Sequence, residues 1–318
     1  MHSKKILVTG GAGFIGSHLI PKLLKDGNEV FVLDDLSTGS LSRLAPFQKN
    51  PKFHFKKGSV LNEKDLKPLA SRVHFIYHLA AAVGVKYVVE KPLYSMINNI
   101  EGTSAVLRLA CKKKIPVLIT STSEVYGKLD AMPFTETSDR VYGSAYNERW
   151  GYALSKAVDE FIALAYWREK GLPVVIVRLF NTVGPGQTGK YGMVIPRLVE
   201  QALGNKPMTV YGDGKQVRCF SHVDDITNAL IKLLSSKKVY GEIVNLGSNQ
   251  PVSINDLAKL IKKITNSSSK IVHIPYEKAF SKTFEDMRKR IPDLKKAARL
   301  IGFKPAYTLE EIMRSILQ

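Results

Sequence analysis

Tyr152-Ala153-Leu154-Ser155-Lys156 sets a phenol and an ammonium four residues apart, on one face of any helix that carries them. A phenol with its ordinary pKa of about 10 is a poor base at neutral pH. A nearby ammonium favours the phenolate, which can then take the proton of an alcohol. If that alcohol is being oxidised, a hydride must leave with the proton, and the sequence offers a place for it. Gly10-Gly11-Ala12-Gly13-Phe14-Ile15-Gly16 comes directly after an apolar run and opens a helical pattern. Glycines there permit a tight turn and close backbone approach, so a pyrophosphate can lie on the helix N-terminus. Asp34 ends the next apolar run, where a carboxylate can accept both hydroxyls of an adenosine ribose. Asp35 adds a second negative charge that would repel a 2′-phosphate, so NAD is expected rather than NADP. Gly10, Gly13, Phe14, Ile15, Gly16 and Asp34 are the expected cofactor-binding residues, joined by the catalytic pair Tyr152 and Lys156. No metal site is expected.

Holding a glycine turn, an acid and a helical Tyr/Lys pair around one ligand requires several elements to converge. Strand-like runs occur at Lys4–Thr9, Glu29–Leu33, Phe53–Lys57, His74–Leu79, Pro116–Thr122 and Pro173–Leu179. Helical patterns lie between most of them, at Phe14–Lys25, Glu63–Ala70, Leu93–Lys113 and Tyr152–Lys170. Such alternation predicts an α/β fold with a Rossmann-type, doubly wound parallel sheet. Beyond about Asn181 glycine and proline become frequent, and helical stretches return at Val223–Ser235, Ile254–Thr265 and Leu309–Leu317. The expected organisation is a cofactor domain over residues 1–180. A smaller mixed lobe over 181–318 binds the substrate and is interleaved with the first.

Composition bounds the remaining classes. The 318 residues are 44% hydrophobic and 24% charged, which is ordinary for a globular chain with a substantial core. No apolar run approaches membrane-spanning length, and the N-terminus leaves no room for a signal peptide, so a cytoplasmic protein is expected. Two cysteines, Cys111 and Cys219, make no disulfide framework and are expected as buried thiols. The net charge of +19 raises the question of nucleic acid. The basic residues are scattered, as at Lys112–Lys114 and Lys262-Lys263, without interleaved aromatics or a nucleic-acid motif. They read as solvated helix faces, part of whose charge can attract an anionic substrate.

Taken in order, TGGAGFIGSH (Thr9–His18), DDLSTG (Asp34–Gly39), HLAA (His78–Ala81) and NIEGT (Asn99–Thr103) resemble the extended short-chain dehydrogenase/reductases that modify nucleotide sugars. TSTSEVYG (Thr120–Gly127), YALSK (Tyr152–Lys156), RLFNTVGP (Arg178–Pro185) and YGDGKQVRCF (Tyr211–Phe220) extend the resemblance over essentially the whole chain. The resemblance implies that Thr122 holds the reacting sugar oxygen beside Tyr152, with Ser123 also at the substrate. It places Leu79, Ala80 and Asn99 near the cofactor, and Asn181, Tyr211 and Arg218 on a nucleotide, a UDP-sugar first of all. It further implies a homodimer formed through the helices around Leu93–Lys113 and Tyr152–Lys170. Gly58-Ser59 departs from the family's Gly-Asp near adenine.

The expected reaction begins with oxidation of the sugar, and residues around the keto intermediate decide its fate. If the strand continues through Thr122-Ser123-Glu124, then Thr122 and Glu124 share a face, bringing an acid to the substrate. Arg149-Trp150 before Gly151-Tyr152 and Arg290-Ile291-Pro292-Asp293 resemble segments of the UDP-glucuronate decarboxylases. Guanidinium groups suit a substrate with a diphosphate and a carboxylate. Arg149 is therefore expected on the substrate, with Arg290 and Glu124 serving decarboxylation to UDP-xylose. Val88, with Tyr87 beside it, stands where those decarboxylases carry an aromatic residue, which keeps a UDP-sugar or uronate 4-epimerase as the alternative. Thr-Ser-Glu also resembles the GDP-mannose dehydratases, whose preference for NADP Asp34 opposes. A reading of another class is a catalytically inactive NAD sensor, against which the intact Thr122, Tyr152 and Lys156 set argues.

Overall fold

Lys5–Thr9 (β1), Glu29–Asp34 (β2) and Val174–Leu179 (β6) are nearly unbroken apolar runs, the pattern of strands covered on both faces. The computed structural model describes residues 3–189, 192–279 and 286–317, and only the backbone of 85–87. Phe53–Lys57 (β3), Phe75–His78 (β4) and Val117–Thr122 (β5) join these strands in one seven-stranded sheet. From one edge the order is Glu242–Leu246, β6, β5, β4, β1, β2, β3, with every pairing parallel. Strand order reverses between β1 and β4, which opens a crevice outside their carboxyl ends.

Helices cover both faces. Phe14–Lys25 (α1) and the helix Val223–Ser235 pack Leu19, Ile20 and Leu23 with Ile226, Leu230 and Leu233 on one side. Glu63–Ala70 (α2), Val85–Glu90 (α3), Pro92–Cys111 (α4) and Arg149–Lys170 (α5) come next in chain order. Leu66, Val106, Ala110 and Ala163 bury α2, α4 and α5 against the other face. A third core, with Ile195, Leu198, Met208, Leu257 and Ile312, holds the smaller sheets and helices of the second half. The expected Rossmann-type sheet is present, and several helices have the bounds read from sequence. Glu242–Leu246, in the stretch assigned to the interleaved second lobe, forms the sheet edge beside β6, Val244 opposite Val177. One feature differs. Cys219 is buried as expected, but Cys111, near the end of α4, is only half-buried.

Helix α5 reverses the usual division of faces. Arg149, Ser155, Lys156, Asp159 and Glu160 point inward and are buried. Leu154, Val158 and Phe161 are exposed. The inward charges are paired. Glu160 accepts from Ser121 Oγ on β5 at 2.5 Å, from Arg178 Nε on β6 at 3.0 Å and Nη2 at 2.8 Å, and from Arg140. Arg178 is 1% exposed, so removing its anion strands a buried guanidinium. Breaking one side of such a pair typically costs about 3–5 kcal/mol. Glu160→Gln is expected to lower the urea midpoint by a corresponding amount with little change in slope. An unchanged midpoint would show that the pair does not tie α5 to the sheet.

Candidate active site

A cavity of about 450 Å³ opens at the carboxyl ends of the strands. Gly10, Gly13, Phe14, Ile15, Gly16, Asp34, Leu79 and Ala80 line it at one end, and Gly58 and Ser59 reach it too. Thr122, Ser123, Glu124, Arg149, Tyr152, Asn181, Tyr211, Arg218 and Arg290 line the other. Asn99 and Lys156 do not line it. The Asn99 amide is committed to structure, accepting from Ala82 N at 2.8 Å and donating to Ser155 Oγ at 3.1 Å.

The turn after β1 is shaped by close approach. Gly10 has φ +73°, and a Cβ there would stand 2.6 Å from Ala80 N. A Cβ on Gly16 would meet Gly11 Cα at the same distance. At the end of β2, Asp34 Oδ2 accepts from Ala12 N at 2.9 Å and Oδ1 from Leu36 N at 2.8 Å. Burial raises the Asp34 carboxyl above its ordinary range, against these amides. A cradle that side chains would fill, with a buried acid at its rim, fits a dinucleotide.

At the other end β5 stops at Thr122, and Ser123–Tyr126 is a single 3₁₀ turn. The expectation of an extended Thr122–Glu124 segment therefore fails. Thr122 Oγ1 caps the turn by accepting from Glu124 N at 3.2 Å, and that cap delivers Glu124 to the cavity. The Thr122 hydroxyl also hydrogen-bonds the Tyr152 phenol. Tyr152 lies above its ordinary range, not below it as its neighbour Lys156 suggested. Burial raises it most, and Glu124 adds to that. Lys156 Nζ is instead 2.6 Å from Asp159 Oδ2.

Three arginines and two acids meet above this floor. Glu124 Oε1 lies 3.4 Å from Arg290 Nη1 and 3.7 Å from Arg149 Nη2. Asp286 places Oδ1 3.2 Å from Arg149 Nη2 and Oδ2 2.8 Å from Arg218 Nη2, and accepts from Tyr276 Oη at 3.1 Å. Arg218 and Arg290 are brought side by side because Lys289–Arg290 pairs with the strand Val217–Cys219. Burial pushes Arg290 down to about 10, with the Arg218 charge adding to it. Three cations against two anions leave this wall fit for a further anion. Arg197 sits over the Tyr211 ring, 4.0 Å from its centroid. Asn181 Nδ2 donates to Cys219 O at 2.9 Å. Val88 also lines the cavity, whereas the Tyr87 side chain lies outside the described residues.

Sequence reasoning missed Asp286, Tyr276, Arg197 and Asp159. Asp159 carried a signal, an acid three residues past Lys156 on a helix already assigned. Asp286 had only its place four residues before Arg290.

The family described as GDP-mannose 4,6 dehydratase matches residues 7–316. The UDP-N-acetyl-α-D-glucosaminuronate decarboxylase of Bacillus cytotoxicus is 41% identical over 316 residues, covering 99% of this chain and 97% of that one. UDP-glucuronic acid decarboxylase 1 of Xenopus tropicalis is 36% identical over 310 residues, covering 97% of this chain and 70% of its own. Among solved structures, the UDP-glucuronic acid 4-epimerase of Bacillus cereus, in complex with UDP-glucuronic acid and NAD, is similar with a TM-score of 0.88. It is 30% identical and covers 98% of this chain and 97% of its own.

The arginine wall makes stability depend on pH. Burial alone would raise the Asp286 carboxyl, but Arg218 and Arg149 outweigh it and hold the group below its ordinary range. A lowered folded pKa contributes stability above the unfolded value of about 3.9 and loses it as pH falls through the folded one. Asp286→Asn is therefore expected to melt below the wild type at pH 7, with the gap closing as the pH drops below about 4. A gap that stays constant with pH would show that the carboxylate charge is not what matters.

Proposed function

Because the chain belongs to the GDP-mannose 4,6 dehydratase family of extended short-chain dehydrogenase/reductases, we propose that it is an NAD-dependent decarboxylase of a UDP-linked hexuronic acid. UDP-glucuronate is the substrate and UDP-xylose the product. The observation that carries this reading is the Glu124–Arg290 contact in the cavity wall shared with Tyr152.

When bound, NAD supplies the hydride acceptor at C4 of the sugar and later the donor. Of the residues lining the cavity, Gly10, Gly13, Phe14, Ile15 and Gly16 would receive its pyrophosphate, Asp34 would hold its adenosine ribose, and Leu79 and Ala80 would flank it. Asn181, Tyr211 and Arg218 hold the uridine diphosphate, with Arg197, which lines the same cavity, lying over the Tyr211 ring. Thr122 orients the 4-hydroxyl and Tyr152 takes its proton. The carboxylate on C5 is then β to a ketone, and carbon dioxide leaves as its bonding electrons pass into an enolate. Arg149 and Arg290 face that negative charge, and the Arg290–Glu124 pair serves the proton that C5 takes up. Arg290 remains a cation at neutral pH, so it can face the enolate's negative charge while it holds Glu124 at the wall. The alternative is a uronate 4-epimerase, favoured by the likeness to the Bacillus cereus structure. An epimerase must keep the carboxylate in place, and an arginine–acid pair at the same wall works against that.

The decisive assay supplies NAD with UDP-glucuronate, with its 2-acetamido counterpart in parallel because of the 41% identical relative, and monitors products by NMR. A pentose and carbon dioxide are expected. Tyr152→Phe should lower turnover by about 100-fold or more. Arg290→Ala and Glu124→Gln should let NADH absorbance accumulate while carbon dioxide release falls. UDP-galacturonate without carbon dioxide would defeat decarboxylation and promote the epimerase.

The reading includes a homodimer. Leu93, Tyr94 and Ile97 on α4 and Leu154, Val158 and Phe161 on α5 are exposed, with Leu93 at 73% and Phe161 at 68%. Paired across a two-fold axis, these helices make a four-helix bundle and cover the patch. Leu93→Asp combined with Phe161→Asp is expected to give monomers in sedimentation. A dimer of unchanged stability in that variant would place the interface elsewhere.

A further inference from the structure

Lys156 and Asp159 form an ion pair sealed inside the protein. Their side chains are 2% and 0% exposed, with Nζ 2.6 Å from Oδ2. Oδ1 of Asp159 has no hydrogen-bond partner among the described residues. Among the described residues, Asp159 is the anion paired with Lys156. On α4, Thr103 acts on the Asp159 carboxylate, and its hydroxyl lies 3.1 Å from His78 Nε2 at the end of β4. His78 Nδ1 in turn lies 2.7 Å from Thr9 Oγ1 at the end of β1. Burial pushes His78 down to about 3, with the Lys156 charge adding to it, so the imidazole stays neutral. On α5 itself, Glu160 is taken by Arg178 and Arg140. Glu124, beyond β5, is in contact with Arg290 and Arg149.

We propose that Asp159 is a positioning residue for the Tyr152–Lys156 pair: its carboxylate anchors one N–H of the ammonium and opposes the ammonium's charge at the phenol. The proposal rests on the catalytic reading of Tyr152 and Lys156 given above. An ammonium has three N–H donors. Fixing one on Asp159 ties Lys156 to its own helix and leaves two to point elsewhere. The same carboxylate opposes the ammonium electrostatically at the phenol. Glu124 and Asp159 both raise Tyr152, while Arg290 lowers it. An unopposed Lys156 would release the phenol's proton at lower pH, at the cost of a buried cation without a counterion. Asp159 thus trades acidity of the base for a stable, oriented lysine.

The test is the pH dependence of NADH formation in a single turnover of the NAD-loaded enzyme, for the wild type, Asp159→Asn and Asp159→Glu. Tyr152 must be a phenolate to act, so the rate falls on the acid side of its pKa. Asp159→Asn removes a charge that raises that pKa, so its acid limb should move to lower pH. A move of about one unit is about a tenfold gain on that limb, once each profile is scaled to its own plateau. Asp159→Glu should keep the wild-type limb. A limb in Asp159→Asn that coincides with the wild type, or moves upward, overturns the proposal whatever the plateau. Should the asparagine variant fail to fold, Asp159→Ser removes the same charge and is judged by the same limb. Tyr152→Phe, measured alongside, separates the two levels. Activity in that variant overturns the base assignment and this proposal with it. An inactive Tyr152→Phe beside an unmoved Asp159→Asn limb overturns the role of Asp159 alone.

Discussion

Burying an ion is costly unless an opposite charge or hydrogen-bond partner is buried with it, and α5 buries four ions on one face. Each has been matched. Lys156 meets Asp159 within the helix, Glu160 meets Arg178 from β6, and Arg149 meets Glu124 and Asp286. The partners of Glu160 and Arg149 come from other elements, so charge matching helps to fix how α5 lies across the sheet. It also fixes where Tyr152 faces, one turn from Lys156 and beside the end of β5. Apolar packing could hold the helix down, but it is non-directional and would not choose this rotation about the axis.

The same constraint explains what could be read beforehand. β1, the glycine turn and α1 are contiguous, and their pattern shows in a short stretch of sequence. Asp34 and Tyr152 could be singled out by local spacing, and both line the cavity, whereas Lys156 does not. Glu124 reaches the cavity, but not for the reason expected. An extended strand would put it beside Thr122, whereas the structure ends the strand and uses the Thr122 hydroxyl to cap a turn. Side-chain capping of that kind needs only one favourable hydroxyl and leaves hydrophobic periodicity untouched. The phenol's environment was misjudged because spacing shows a neighbour's identity but neither the burial that raises the phenol most nor the acids, Glu124 and Asp159, that add to it.

The arginine wall shows the opposite limit. Arg149, Arg218 and Arg290 come from the helix, from the strand Val217–Cys219 and from a two-residue strand paired with it. Their meeting depends on long-range pairing that no local pattern encodes. Asp286, which joins two of them, sits in the same late segment and had no periodic signal at all. The wall belongs to both halves of the chain, so the substrate cavity exists only when both are folded.

The edge strand Glu242–Leu246 carries this dependence into the way the molecule can be built. As the chain leaves the ribosome, β6 is complete long before the strand that covers its outer side has been made. Until then β6 presents an apolar strand with open hydrogen-bonding groups, the kind of edge that recruits other chains. A cut after residue 180 freezes the protein in that condition. Gene fusions and chimaeras between relatives therefore have to exchange Glu242–Leu246 together with the first half, or keep both from one parent.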